Sequence, residues 1–259
     1  MPTKIRAALF DWAGTAVDYG SRAPARVFVE IFRRAGLPIT EPEARAPMGL
    51  AKREHIASIL RAPRVADAWR KLHGRDPADA DVDRLYREFL PLQKAILAEG
   101  SDVIPGIPAA IARLRDRGIR IGSTTGYTRE LMEVVVPLAA RGGFDPDVVV
   151  CSDDVPEGRP APWMNFRAAE ALGVYPMGSV LVVDDTPVGI AAARNAGAIA
   201  VAVTQTGNAL GLSQAEAESL AEGEISARLD GIAREFREAG ADHTIRSAAE
   251  LPELIDRLG

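Results

Sequence analysis

The chain has 259 residues, with 31 Lys plus Arg against 36 Asp plus Glu, a formal charge of −5 and a 47% apolar composition. That supports a sizeable core in one large or two unequal domains, and the acidic balance excludes the basic footprint of a nucleic-acid or anionic-membrane binder. No apolar run reaches the about 18 residues that cross a bilayer, the opening MPTKIRAALFDW lacks the order of a secretory signal, and the single Cys151 excludes an internal disulfide or a multi-thiolate metal site, so a cytoplasmic protein is expected.

The first predicted element is a buried parallel strand over 5–10, a short apolar run that stops at Asp11. Helical periodicity with little strand signal follows between 20 and 100, in stretches 25–35, 47–60, 66–72 and 82–97. Pro24 and Pro47 suit first helical turns and Gly36 suits a helix stop. Beyond residue 100 short apolar runs alternate with amphipathic ones. A helix over 107–117 precedes a strand over 119–123 that ends in Thr124-Thr125-Gly126, and a helix over 129–140 precedes a strand over 148–150 that leads into Cys151-Ser152-Asp153-Asp154. A helix over 163–172 precedes a strand over 180–183 ending in Asp184-Asp185, and a helix over 190–196 precedes a strand over 199–203. The tail adds a long helical pattern over 214–239, a short strand over 243–245 and a last helix. This alternation predicts an α/β fold with right-handed crossovers. The expected architecture is a Rossmann-like doubly wound parallel sheet core (1–19 and 101–259) with an inserted all-helical cap (20–100) over the strand C-termini.

Open parallel sheets bind ligands beyond the carboxyl ends of their strands. Here those ends carry Asp11, Thr125-Gly126 and Asp184-Asp185. Carboxylates facing a hydroxyl and a loop amide suit a divalent cation plus a phosphate, and Mg²⁺ takes one or two carboxylates completed by water and substrate oxygens. Arg159, in Gly158-Arg159-Pro160, can neutralise a phosphoryl group. Asp153 and Asp154 are assigned to loop and cap roles. Each of these residues taken singly is as readily a turn former, a cap or a surface charge; their common sheet edge gives them weight. Other chemistries lack their residues. No Gly-Lys dipeptide exists for a Walker loop, no G-x-G-x-x-G follows the first strand, no serine-hydrolase elbow is present, and His55, His73 and His243 share no metal-ligand spacing. Only four of the basic residues are lysines, Lys4, Lys52, Lys71 and Lys94. Unlike arginine, lysine can be tuned to lose its proton and attack a carbonyl.

Four segments, Asp11-Trp12-Ala13-Gly14-Thr15, Ser123-Thr124-Thr125-Gly126-Tyr127, Gly158-Arg159-Pro160 and Val183-Asp184-Asp185-Thr186, resemble in order and spacing the four motifs of the haloacid dehalogenase superfamily. The longer run Phe10 to Gly20, with Pro47-Met48-Gly49-Leu50-Ala51-Lys52, Ile121 to Tyr127 and Gly158 to Met164, is similar to the phosphonoacetaldehyde hydrolase (phosphonatase) family, across both core and cap.

The resemblance implies a Mg²⁺-dependent enzyme acting on a small-molecule phosphonate. Superfamily phosphatases usually carry a second Asp two residues after the nucleophilic one, to protonate an oxygen leaving group; here that position is Ala13. A general acid is worth about 10²–10⁴-fold, so an ordinary monoesterase would be handicapped. A phosphonate leaves from carbon instead and needs an electron sink, which an imine between lysine and the neighbouring aldehyde provides. The family's imine-forming position is Lys52, whose pKa should fall from about 10.4 towards about 7–8. His55, three residues on, matches a position that assists proton transfer around the amine, although packing serves it equally well. By the same resemblance Asp11 is the nucleophile and a metal ligand, Ala13 offers its backbone carbonyl, and Asp185 is the second acidic ligand. Thr125, Gly126 and Arg159 hold phosphoryl oxygens, and Met48, Gly49 and Tyr127 shape the pocket. A homodimer joined through the cap is also implied.

Two departures stand out. The last motif reads Asp184-Asp185-Thr186-Pro187-Val188-Gly189 rather than Gly-Asp-Thr-x-x-Asp, which leaves open whether Asp184 takes over part of the supporting role at the metal. Ser21 stands where some relatives have Cys. The alternatives are a sugar-phosphate phosphatase or phosphomutase of the same superfamily, which gives Lys52 no role beyond packing, and a catalytically silent phosphate-binding relative. A metal-free dehalogenase fits poorly with Asp185.

Overall fold

The computed structural model of the protein describes residues 4–258. Its centre is a six-stranded parallel sheet in the order β3-β2-β1-β4-β5-β6, formed by β1 (Ala7–Phe10), β2 (Arg120–Thr124), β3 (Val148–Val150), β4 (Val180–Asp184), β5 (Ile199–Val203) and β6 (His243–Ile245). This is the doubly wound order, and the strand sequence reverses direction beside β1, so a crevice opens at the C-terminal ends of β1 and β4. Phe10 pairs with Ser123 on one side and Val183 on the other, which puts Asp11, Thr124-Thr125 and Asp184-Asp185 level with one another.

Strand periodicity builds the two faces. Ala8, Phe10, Ile121, Leu181, Val183, Val201 and Val203 point to one side, where they pack under α6 (Ile107–Asp116), α7 (Arg129–Arg141) and α12 (Leu251–Leu258). Ala7, Leu9, Val180, Val182, Ala200 and Ala202 point to the other, under α8 (Trp163–Ala171), α9 (Pro187–Asn195) and α11 (Glu222–Glu238). With both faces covered, near-continuous apolar strands are what the sheet requires.

Five helices lie between β1 and α6: α1 (Arg22–Arg34), α2 (Glu41–Arg45), α3 (Lys52–Arg61), α4 (Pro63–His73) and α5 (Asp79–Glu99). They enclose a separate apolar cluster that includes Phe28, Phe32, Ile56, Trp69, Leu85 and Phe89. The chain enters this layer through Asp18 and Ser21, both at positive φ, and the buried Asp18 carboxylate accepts from the Arg22 and Ala23 amides at the start of α1. Pro24 falls in the first turn of α1, and Gly36 follows its end at φ 74°.

Two expectations are corrected and one element is added. The stretch 47–60 is not one helix: 46–50 is a turn in which Gly49 adopts φ 94°, and the helix starts at Lys52. A further helix, α2, precedes that turn, started by a Thr40/Glu43 capping box. The pattern over 214–239 is two helices, α10 (Gln214–Ser219) and α11, parted at Leu220 and Ala221, which are extended. Glu222 and Glu224 then occupy the first turn of α11, where acidic residues favour a helix start.

Candidate active site

Asp11 follows the last residue of β1, and its amide donates to the Val183 carbonyl at 2.9 Å, so the carboxylate is aimed by the sheet itself. Asp184 ends β4, with Asp185 next. The three carboxylates offer oxygens all within 4.8 Å of one another, and all three residues are buried. Arg159 is the cation among them: Nη1 lies 2.7 Å from Asp11 Oδ1 and 3.1 Å from Asp184 Oδ2, while Nη2 donates to the Thr124 carbonyl and hydroxyl at 3.0 and 2.8 Å. Burial presses on this guanidinium, yet Asp184 and Asp11 more than offset it and hold it firmly charged.

One guanidinium does not balance three carboxylates. Desolvation, with repulsion from Asp184, raises Asp11 to about 7 against the pull of Arg159. Burial, then Asp11 and Asp184, push Asp185 well above the ordinary carboxylate range. Asp185 Oδ2 accepts from the Asn208 amide at 2.7 Å, but Oδ1 is buried without a partner, and Asp184 Oδ2 makes no hydrogen bond despite its nearness to Arg159. An all-oxygen cluster with excess negative charge and orphaned lone pairs fits a hard divalent cation.

Opposite these acids stands Lys52, the first residue of α3 and only 3% exposed. Its Nζ lies 4.7 Å from the Tyr127 ring centroid and 5.6 Å from that of Phe28. Desolvation lowers the amine to about 8, with Asp11 opposing and Arg159 assisting. His55 is wholly buried, stacked on Phe28 at 3.7 Å, and its Nε2 is 2.8 Å from the Ala44 carbonyl. A carbonyl only accepts, so Nε2 carries the proton and Nδ1, which has no partner, keeps a free lone pair. Burial, then the Lys52 charge, keep this ring neutral, with its pKa well below 6.5.

The turn Met48 to Ala51 lies directly on the core loops. A methyl group on Gly126 would meet the Leu50 carbonyl oxygen at 2.9 Å and that of Gly49 at 3.0 Å, and one on Gly49 would meet Thr186 Oγ1 at 2.4 Å. This seam borders a small cleft of about 20 Å³ lined by Asp11, Ala13, Met48, Gly49, Lys52, Thr125, Gly126, Tyr127, Arg159 and Asp185, together with Ser21. The candidate residues from the sequence therefore meet there except His55, which packs behind Lys52, and Asp184, which adjoins through the acid cluster. Thr125 Oγ1 accepts from the Tyr127 amide at 3.1 Å. Asp153 and Asp154 do act as loop and cap residues, accepting from the Arg129 and Cys151 amides.

Two contacts have no counterpart in the sequence reading. Arg45 of α2 donates to the Gly20 carbonyl at 2.9 Å, to Asn208 Oδ1 at 3.1 Å and to the Gly211 carbonyl at 3.2 Å, tying the helical layer to the loop that holds Asp185. The Asn208 contact to Asp185 comes from a backbone amide, which no residue type announces.

Residues 5–197 match the haloacid dehalogenase-like hydrolase family, and the fold and site define a hydrolase of that class. The chain is 47% identical to the phosphonoacetaldehyde hydrolase of Paraburkholderia xenovorans over 97% of its own length and 94% of the relative's. It is 45% identical to that of Bacillus cereus over 98% and 97%. The crystal structure of a phosphonoacetaldehyde hydrolase-like protein from Oleispira antarctica is 35% identical and superposes with a TM-score of 0.97, covering 99% of this chain and 93% of that one. The chain belongs to the phosphonoacetaldehyde hydrolase family. No described helix is long and apolar enough to cross a membrane.

Proposed function

We propose that the protein hydrolyses the P–C bond of phosphonoacetaldehyde to acetaldehyde and phosphate, with the helical insertion 20–100 acting as a cap on the core. The observation that carries this is a buried amine, lowered to about 8, sharing one small cleft with the Asp11 carboxylate. In this reading the Lys52 amine adds to the aldehyde and expels water to give an imine, with His55 Nδ1 relaying the proton. Asp11 then attacks phosphorus. The P–C bond breaks, the phosphoryl group passes to Asp11 and the electron pair enters the protonated imine to give an enamine. Protonation at carbon and hydrolysis of the iminium release acetaldehyde, and a second water frees phosphate from the aspartyl phosphate.

The residues present suit Mg²⁺: Asp11, Asp185 and the Ala13 carbonyl would hold it, and when bound it neutralises charge on the phosphoryl oxygens. Arg159 now grips Asp11 and would turn one nitrogen to the phosphoryl group, joined by Thr125 and the Gly126 amide. Met48, Gly49 and Tyr127 shape the wall around the aldehyde. A cleft of about 20 Å³ has room for little more than a water, so the cap must part to admit substrate and shut again to exclude solvent. A sugar-phosphate monoesterase is disfavoured because Ala13 supplies no acid and Lys52 would be an ionisable group buried to no purpose.

The test is phosphonoacetaldehyde with Mg²⁺, following acetaldehyde release, with borohydride added to trap the imine. A reduced adduct mapped to Lys52 by mass supports the reading, and turnover with no adduct on Lys52 would refute it. At the seam, Gly126→Ala is expected to hold the cap off the core and lower kcat/KM by about 10²-fold with the fold intact. Unchanged kinetics in that variant would show that closure is not needed. The reading extends to a cytoplasmic homodimer joined through the cap, where Leu72 of α4 is 52% exposed. Sedimentation at twice the chain's 27.6 kDa is expected, and a monomer at micromolar concentration would contradict it.

A further inference from the structure

The last motif has Asp184 where the superfamily pattern has Gly, and Gly189 where it has Asp. Gly189 sits in the first turn of α9 with ordinary helical backbone, so no left-handed conformation calls for it. Glycine there is unfavourable for a helix. Space is the reason for it: a Cβ on Gly189 would fall 2.0 Å from Asp184 Cγ, 2.0 Å from Oδ2 and 2.2 Å from Oδ1. The Asp184 carboxylate occupies the volume in which a side chain at 189 would begin.

Its hydrogen bonds lie on one side only, while Oδ2 faces the Arg159 guanidinium at 3.1 Å. Oδ1 accepts from the Thr186 amide at 2.9 Å and the Thr186 hydroxyl at 2.7 Å, and that hydroxyl in turn accepts from the Gly189 amide at 3.2 Å. Oδ2 is left without a hydrogen bond, wholly buried, and within the cluster it forms with Asp11 and Asp185.

We infer that Asp184 and Gly189 are a compensating exchange. The third acid of the cation site is delivered from the end of β4 instead of from α9, and Gly189 is bare to admit it. Asp184 is a positioning residue, steadying the cation and its waters through Oδ2. This rests on the Mg²⁺-dependent reading above, but it is tested on metal binding to the substrate-free protein, so its failure is distinct from a failure of the imine scheme.

The experiment compares Asp184→Asn, Gly189→Asp and the double variant Asp184→Gly/Gly189→Asp by Mg²⁺ titration calorimetry and by melting with and without Mg²⁺. Asp184→Asn keeps an acceptor for Thr186 but sets its amide NH2 against Arg159, so its metal-free melting temperature should fall somewhat, while Mg²⁺ affinity falls about 10–100-fold. Gly189→Asp forces two carboxylates into one space and should melt about 5 °C lower or more. The double variant should melt above Gly189→Asp and recover Mg²⁺ affinity. Wild-type affinity in Asp184→Asn, wild-type melting in Gly189→Asp, or a double variant no better than Gly189→Asp would each overturn the exchange.

Discussion

Lys52→Arg is expected to remove about 10⁴-fold or more of kcat/KM, some 5.5 kcal/mol of transition-state stabilisation, while the protein stays folded. Arginine keeps a positive charge over the Tyr127 and Phe28 rings, so the electrostatic and packing roles of the side chain survive. It cannot form an imine, because its nitrogen stays protonated at any working pH. Activity within tenfold of wild type would remove the covalent scheme. Lys52→Met separates function from stability. A buried amine at about 8, against its ordinary 10.5, is a folded-state group that resists protonation. The unfolded chain binds that proton more tightly, so the group weakens the fold in full below about pH 8. The penalty fades as pH rises from 8 towards 10.5. Lys52→Met should therefore be inactive yet more stable at pH 7, by about 1–3 kcal/mol, with the advantage lost above pH 10. Borohydride trapping in the wild type should rise with pH and level off above about 8, where the amine is free. A Met variant that melts below wild type would show that Lys52 is held by attraction to Asp11 and Asp185 and not against desolvation.

The core was most legible at β1, β4 and β5, which are short apolar runs buried on both faces and ending at or just before a polar residue. The expected strands over 148–150, 199–203 and 243–245 coincide with β3, β5 and β6, and those at 5–10, 119–123 and 180–183 differ from β1, β2 and β4 only at their ends. The helical layer was legible as periodicity but not at its breaks. Pro47 looks like a helix start, yet Gly49 at φ 94° lies in a turn that postpones the helix to Lys52. That displacement matters chemically, since it places the amine at the first position of α3, where the helix dipole adds to desolvation in disfavouring the ammonium. The Thr40/Glu43 capping box was readable in the sequence and marks α2, which carries Arg45 to the Asn208 loop. The departures at 184 and 189 show in the sequence, but not that the Asp184 carboxylate fills the space where a side chain at 189 would begin. The Asp185 contact from Asn208 is made by a main-chain amide, and residue type is silent on that.

Asp11→Asn is expected to lose about 10⁴-fold or more in acetaldehyde release under saturating Mg²⁺, yet still to form the imine. The amide is isosteric and its oxygen can keep the 2.7 Å contact from Arg159, so the sheet edge and its seam with the helical layer have no reason to move. A neutral amide is a poor nucleophile towards phosphorus, so the step that drives electrons into the imine cannot start. Lys52 is untouched, and with Asp11 neutral it loses the one attraction that most favours its ammonium, which frees the amine at a slightly lower pH. Borohydride should then capture the substrate before cleavage, leaving an adduct on Lys52 that retains phosphorus, whereas the turning-over wild type also yields the ethyl adduct derived from acetaldehyde. The two masses divide the reaction at the P–C bond and assign one half to each residue. Rapid turnover in Asp11→Asn would mean that another group attacks phosphorus. Failure to trap any adduct in a folded, Mg²⁺-binding variant would mean that amine and carboxylate do not act in sequence, and the division of labour between Lys52 and Asp11 would be wrong.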